Sequence, residues 1–590
     1  MNVRNDINGL RALAVLPVLF FHAHHPWVQG GFLGVDVFFV ISGYLITNLI
    51  YAKVVSGNFS FFEFYEKRAR RILPAFVFVL GATTLGSIFF MVPYDIKNYG
   101  QSLVASILSV NNILLYLTSG YWSLASDFKP LYHTWSLAVE EQYYLVAPLI
   151  IFFCFKVWSN KQSVFILCSL LFGVSYLLSL NLQNKEFVFL IIFTRAWELL
   201  AGALLALRQF NSFTYKNNLA SLFGLLLICF AYFNPYYFSS NQAVVNAIPV
   251  IGTLLVIAYA DGANTFTGKL LSVKPLVVLG LISYSVYLWH QPVLAFLRLT
   301  SEYEPSIAKQ AFFSLLSVPL AYLTWRFIEN TFRNKTKVSL KAFCILLSIG
   351  VSFLLSVGLL MHKTYGFQDY WPQYSYGGNP QTYVDSPRVF KLNSFSDDKK
   401  QKMLVIGNSF ARDFINMMAE NDVSQKLNLI YFEGDCLSKD QKRLNNLLAE
   451  ADFVVYAEDW GQKSYSESQV DAVAACSRYF SRISSGGKIF VLGVKNFGWN
   501  NNFVKLGNFG SESLVTPRKS ILSFNDSAKS KVAGYVDVLE LVSNDGRVRI
   551  FDDNGKFITY DTNHLTRSGA KYIGGILFSN GPLSVLKNVR

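Results

Sequence analysis

Charge is what this sequence has least of. Asp, Glu, Lys and Arg make up 15% of its 590 residues and hydrophobic residues 52%, whereas a soluble domain carries about 25% charged residues. That excludes a wholly soluble chain, and the length calls for more than one domain. Cysteine is scarce too. Four of the six (Cys154, Cys168, Cys229 and Cys344) fall in apolar runs, where a small buried hydrophobe is the plain reading. No cysteine or histidine spacing resembles a metal site. Cys436 and Cys476 lie outside those runs, which permits one disulfide in an oxidising compartment. The charged start (Arg4, Asp6, Arg11) leads into an apolar stretch without a small-residue cleavage site, so it reads as an anchored first helix and not as a removable signal.

What is present is a succession of apolar runs. Up to about residue 362 they recur at roughly 17 to 25 residues, long enough to cross a ~30 Å hydrocarbon core. Spans are expected near 8–25, 32–51, 73–93, 137–155, 163–181, 187–207, 218–235, 243–260, 275–297, 310–329 and 342–361. The net charge of +14 does not point to nucleic acid, because its basic residues gather in alternate loops: 53–71, 156–161, 208–216, 269–274 and 333–341. The positive-inside rule then places the N-terminus in the cytoplasm. Eleven spans, an odd number, place everything after Met361 outside. A twelfth span at 102–118 would turn the later basic loops outward, so that stretch reads as interfacial or re-entrant.

Beyond the spans the pattern changes. Residues 362–401, rich in Tyr, Gly, Pro and Ser, read as a linker with some structure. After it, the apolar runs MLVIG, LNLIYF, DFVVYAE and KIFVLGV alternate with helical patterns at 410–421, 439–451, 467–484 and 567–579. Such alternation predicts a parallel sheet covered on both faces. The expected architecture is therefore a multi-span α-helical membrane domain followed by an α/β three-layer domain. Its parts are a membrane domain over 1–335, an additional transmembrane helix over 336–361, the linker over 362–401 and the α/β domain over 402–590.

Two groups of residues carry chemistry. In the tail, Ser409 follows the first strand and opens a helix (LVIGNSF), the position where sites form in parallel sheets and where a helix N-terminus favours an oxyanion. A serine needs a base, and the base needs orienting. His564 and Asp561, in YDTNHLTRSGA, are the candidates. In the membrane part, Arg11 and His22 lie on the first span, eleven positions apart, or roughly 16 Å along a helix. That is about the reach of a pantetheine arm. Arg68 and Arg71, in FYEKRARRILPA, suit phosphates; the alternative for Arg68, Arg70 and Arg71 is that the cluster fixes topology, with at least one of the three doing only that. Asp36, His133, Glu140 and Glu141 are expected at the outer ends of their spans, where a carboxylate would orient or balance the His22 imidazole. Intramembrane charges are costly and functional by default. Arg195 and Glu198 are open to a mutual ion pair or a substrate role.

The late block ITYDTNHLTRSGAKYI and the strand–serine turn resemble an SGNH-type hydrolase/acyltransferase domain. The resemblance implies a Ser409–His564–Asp561 triad. It departs at Asn408, where the family has Asp, and at Phe410, where relatives fused to membrane domains often have His. The oxyanion blocks are indistinct; Trp460, Gly461 and Asn496 stand at the right strand ends. Residues 1–335 resemble the acyltransferase-3 family through Arg11 and His22, GVDVFFVISGYLIT, FYEKRARRILPA, TWSLAVEEQYY, ISYSVYLWHQP and FIENTFR, in order. That resemblance implies an acyl-coenzyme A donor, usually acetyl-CoA, with Arg11 and His22 essential. The fused subgroup O-acetylates envelope glycans.

The expected function is transfer of acetyl from cytoplasmic acetyl-CoA, docked on Arg11, Arg68 and Arg71, to a glycan hydroxyl outside. His22 takes the acetyl group or acts as base, and Ser409 receives it. The acceptor expected is a lipopolysaccharide O-antigen sugar, at a bacterial inner membrane, with membrane lipid around the spans and no metal or nucleic acid. Alternatives are peptidoglycan as acceptor, a glycan esterase, or a proton-coupled transporter; the lack of an inverted repeat disfavours the last.

Overall fold

The computed structural model describes residues 4–118, 126–209, 216–234, 236, 241–262, 264–375, 380–396, 399–459, 466–507 and 509–589. The chain forms two compact units. The first holds residues 1–89, 98–298 and 305–362; the second holds 90–97, 299–304 and 363–590.

The first unit is helical. Among the described residues, nine helices are long and apolar enough to cross a membrane, from Gly31–Val55 to Leu340–Lys363. The other two expected spans are helices as well. Asn5–His22 carries Asp6, Arg11 and His22, which dilute its hydropathy, and Asn218–Phe233 has only 16 residues. The third expected span begins earlier than expected: its helix runs Phe61–Phe90, so the basic cluster lies on the helix itself. Stretch 102–118 is broken between helices Pro93–Ile107 and Asn111–Leu117, at Ser109, whose φ is 55°. Helices Gly34–Val55 and Ile192–Gln209 pack backbone to backbone. A Cβ on Gly43 would lie 1.8 Å from the Leu199 carbonyl oxygen, and one on Gly202 2.1 Å from that of Val40. Small residues allow such close approach.

The second unit is α/β. Its strands are β1 (Lys402–Gly407), β2 (Asn428–Glu433), β3 (Phe453–Ala457), β4 (Lys488–Leu492), β5 (Leu514–Val515), β6 (Tyr535–Val536), β7 (Ser543–Asn544) and β8 (Arg547–Arg549). The main sheet is all parallel in the order β2-β1-β3-β4-β6. Met403–Gly407 and Phe453–Ala457 are buried throughout, as strands covered on both faces must be. The four apolar runs and four helices expected from the sequence are here, as Ser409–Glu420, Gln441–Glu450, Glu467–Ile483 and Arg567–Ser579 for the helices. β6 and the small antiparallel sheet β5-β8-β7 are two or three residues per strand, too short to leave a periodic signal. Segment 363–375 packs within this unit: the Tyr374 ring lies against Phe551 and Phe557, and Phe557 N–H donates to the Gln373 carbonyl at 3.0 Å. Cys436 and Cys476 form a disulfide that joins the loop after β2 to helix Glu467–Ile483.

Candidate active sites

The strand order reverses beside β1, whose neighbours β2 and β3 lead away in opposite directions. A crevice at the carboxyl ends of strands forms at such a switch point. Gly407 ends β1 with φ 139°, and a Cβ there would meet the Ala457 oxygen at 1.9 Å, so glycine is required for the turn that presents Ser409. Asn408 caps the helix that follows: its side-chain oxygen accepts from Phe410 N–H at 3.1 Å and Asp459 N–H at 3.3 Å. An amide oxygen does this as a carboxylate would, so the departure from Asp leaves the capping intact.

Ser409 Oγ lies 2.9 Å from Nε2 of His564, and His564 Nδ1 lies 2.6 Å from Oδ2 of Asp561. A carboxylate only accepts, so Nδ1 carries the proton, Nε2 is the bare acceptor, and Ser409 donates to it. Oδ1 of Asp561 accepts the backbone N–H groups of Asn563 (3.0 Å) and His564 (2.8 Å). Burial alone would raise the Asp561 carboxyl. The electrostatic pull and hydrogen bond of the His564 ring, with these backbone donors, outweigh it and hold the group below the usual carboxylate range. The geometry is that of an activated nucleophile with an oriented base.

The oxyanion candidates fare differently. Trp460 and Gly461 lie outside the described residues. Asn496 does not offer a free amide: its nitrogen donates to Asn563 Oδ1 at 3.0 Å and its oxygen accepts Arg518 N–H at 2.9 Å. It braces the loop that carries His564 instead. Phe410 sets its ring edge-on to His564, centroids 5.6 Å apart.

In the first unit, Arg11, Arg68 and Arg71 line one open cavity of about 1170 Å³, solvent mouth included, together with Ser42, Glu140, Glu141 and Tyr144. Three arginines lining one cavity fit a donor's phosphates. The Arg68 guanidinium sits 3.1 Å over the Tyr144 ring and 3.6 Å from Glu141. Arg70 faces elsewhere: it pairs with Glu66 at 2.9 Å and donates to the Phe332 and Val338 carbonyls at 3.1 and 2.8 Å. Its role is to tie helix ends.

The carboxylates depart from their expected layer. Glu140 accepts from Ser42 (3.1 Å) and Tyr144 (2.9 Å) in the arginine cavity, not beside His22. The helix starts at Thr134, and seven positions beyond His133 place Glu140 about 10 Å along it. Asp36 is also engaged away from the imidazole. It pairs with Arg195 at 3.2 Å; Arg195 pairs in turn with Glu198 at 3.3 Å, and Asn246 donates to Glu198 at 3.2 Å. That buried network supports the structural reading of Arg195 and Glu198.

His22 is half-buried at the end of its helix, and its neighbours are other imidazoles. Its ring stacks on His290 with centroids 5.1 Å apart, and His133 lies edge-on to His290 at 5.3 Å. Arg298, fully buried, donates to the His22 carbonyl and to Gln310. Tyr287 packs on His133 and His290 while its side chain lines the arginine cavity, so the two layers adjoin. Sequence reasoning assigned no role to His290 or Arg298; the ISYSVYLWHQP block was the signal for the former.

A profile of the acyltransferase domain matches residues 4–326, over half the chain, and one of the SGNH domain fused to such (AT3) domains matches 380–578. The chain belongs to the acyltransferase-3 family. The nine apolar helices among its described residues, with this family match, make it a multi-pass membrane protein. It is 32% identical over 366 residues to the O-acetyltransferase OatA of Staphylococcus aureus, covering 58% of each chain. It is 29% identical over 350 residues to the peptidoglycan O-acetyltransferase OatA of Listeria monocytogenes, covering 56% of each. The putative peptidoglycan O-acetyltransferase YrhL of Bacillus subtilis is also 29% identical over 350 residues, with 55% of its length matched. The match thus spans little over half the length of these relatives. The periplasmic domain of a Salmonella Paratyphi A lipopolysaccharide acetyltransferase aligns over 37% of this chain and 95% of its own, at 13% identity and a TM-score of 0.27, a likeness too low to carry an argument.

Proposed function

We propose that the chain is an acetyl-CoA-dependent O-acetyltransferase that moves acetyl across a bacterial inner membrane onto an envelope glycan. The observation that carries this reading is the pairing, in one chain, of an arginine-lined cavity adjoining an imidazole cluster with an assembled serine triad. Cytoplasmic acetyl-CoA docks with its phosphates on Arg11, Arg68 and Arg71, its thioester toward His22. His22 takes the acetyl group or acts as base for its transfer. Ser409, activated by His564 and Asp561, receives the group as an ester and passes it to a sugar hydroxyl. The disulfide supports an extracytoplasmic second unit, since such bonds persist in oxidising compartments. The acceptor in this reading is a lipopolysaccharide O-antigen sugar. The names of the Listeria and Bacillus relatives favour peptidoglycan as a second reading.

The test is mass spectrometry of both glycans from a deletion strain complemented with wild type, His22→Ala or Ser409→Ala. An acetyl increment on one glycan, present with wild type alone, supports the relay and names the acceptor. An increment that survives Ser409→Ala means direct transfer from the membrane site. Acetyl gained on deletion means an esterase, and no change anywhere leaves the transporter.

A further inference from the structure

Beneath the serine triad lies an ion pair that no step above uses. Lys495 Nζ stands 2.8 Å from Oδ2 of Asp413, and both side chains are almost wholly buried, 3% and 0% exposed. The same oxygen of Asp413 accepts the backbone N–H of Leu565, the residue after His564, at 3.2 Å. Asp413 lies one turn beyond Ser409 on the serine helix, and Lys495 follows β4. The ammonium also rests 3.5 Å over the Phe410 ring, whose edge meets His564. The two residues after Lys495 hold the same loop: Asn496 donates to Asn563, and Phe497 N–H donates to the Thr562 carbonyl at 2.7 Å. Thr562 has φ 76°, left-handed backbone that a threonine keeps only when its surroundings impose it.

A buried ion pair is weak evidence for stability, because the desolvation cost rivals the attraction and an apolar pair of similar volume does as well or better. What the pair adds is direction. It fixes the distance between the helix that carries the nucleophile and the loop that carries its base.

We propose that Lys495, through Asp413, is a positioning residue for acyl transfer at Ser409. It locks the His564 loop against the serine helix and sets a fixed pair of charges one contact away from the imidazole, at the Leu565 N–H and behind the Phe410 ring. The inference rests on the serine-site reading above. Of the charged and titratable groups around His564, Asp561 on its own loop bonds the ring and Tyr560 stacks on it, while Asp413 from the serine helix meets the next residue's N–H and Lys495 from the β4 side lies behind the Phe410 ring.

The experiment uses the full-length protein in detergent, with 4-nitrophenyl acetate as an activated acetyl ester and Ser409→Ala as the blank. Lys495→Met is expected to lower kcat about 10- to 100-fold, the scale of a roughly 1 Å misplacement, with KM within twofold. Lys495→Met leaves an uncompensated anion against the His564 loop, so the acid limb of kcat moves to higher pH. Asp413→Asn leaves an uncompensated cation, so the limb moves to lower pH. The double variant Lys495→Met/Asp413→Leu removes the buried charges together; it is expected to keep the fold while kcat stays low. Opposite limb shifts with a slow double variant support the proposal. Limbs that do not move, or move alike, overturn it, as does a double variant with wild-type kcat. If Ser409→Ala itself hydrolyses the ester at the wild-type rate, the serine-site reading has failed instead.

Discussion

Asp561 holds His564 by two separate bonds: Oδ2 meets the ring Nδ1 at 2.6 Å while Oδ1 accepts the backbone N–H of the same residue at 2.8 Å. The short loop thus sets ring orientation and tautomer together before any substrate arrives.

Asp561→Asn keeps the loop's shape but offers an amide that can donate to Nδ1 and so invites the wrong tautomer. Glycan acetylation is expected to fall on the order of 10³- to 10⁴-fold, by analogy with the serine-protease triad. Because the folded carboxyl is depressed, its contribution to stability is present above the ordinary carboxylate pKa of about 3.9 and is lost as pH falls through the folded value. Thermal unfolding of wild type and variant from pH 6 downward should therefore converge in acid. A gap that does not narrow would show that the difference in stability does not come from ionisation of Asp561.

Glu458 stands at the end of β3 with its carboxyl pushed up to about 7. Burial is the main cause, opposed by the Tyr456 hydroxyl and reinforced by the charges of Asp435 and Asp459. A raised acid stabilises the fold in its protonated form, so stability is expected to decline as pH rises from about 4.5 to about 7. Glu458→Gln should flatten that decline and leave the variant the more stable protein at pH 8, as read by unfolding midpoints.

Asn408→Asp should retain activity within about threefold, since a carboxylate accepts the same two N–H groups. Asn408→Ala removes the cap and is expected to cost about 1 kcal/mol. Resistance of the full-length protein to proteolysis would rank the variants, and equal resistance would refute the capping role.

Arg71→Ala should raise KM for acetyl-CoA at least tenfold through a lost phosphate contact. His290→Ala, by contrast, unseats the ring stacked on His22 and should lower kcat with KM unchanged. Steady-state release of the coenzyme A thiol separates the two. A shared effect on KM would place His290 in donor binding.

Residues close in sequence were legible without a structure. Asp561 and His564 are three apart, so one turn joins them whatever surrounds it. Ser409 follows an apolar run and opens a helix, and that order alone sets it at the carboxyl edge of a parallel sheet. The apolar runs were long enough to declare themselves, as was the switch to a strand–helix alternation after residue 401. Tertiary structure decided what each long-range side chain faces. Glu140 belongs to the arginine cavity, Asp36 to Arg195 and Asn496 to the His564 loop. His290 meets His22 across 268 positions of chain, and Lys495 finds Asp413. The physical reason is that composition and period fix where an element lies and which run of residues it buries. A single position rotates a helical side chain by about 100° and advances it 1.5 Å, so the partner it meets is set only when the helices and strands have packed.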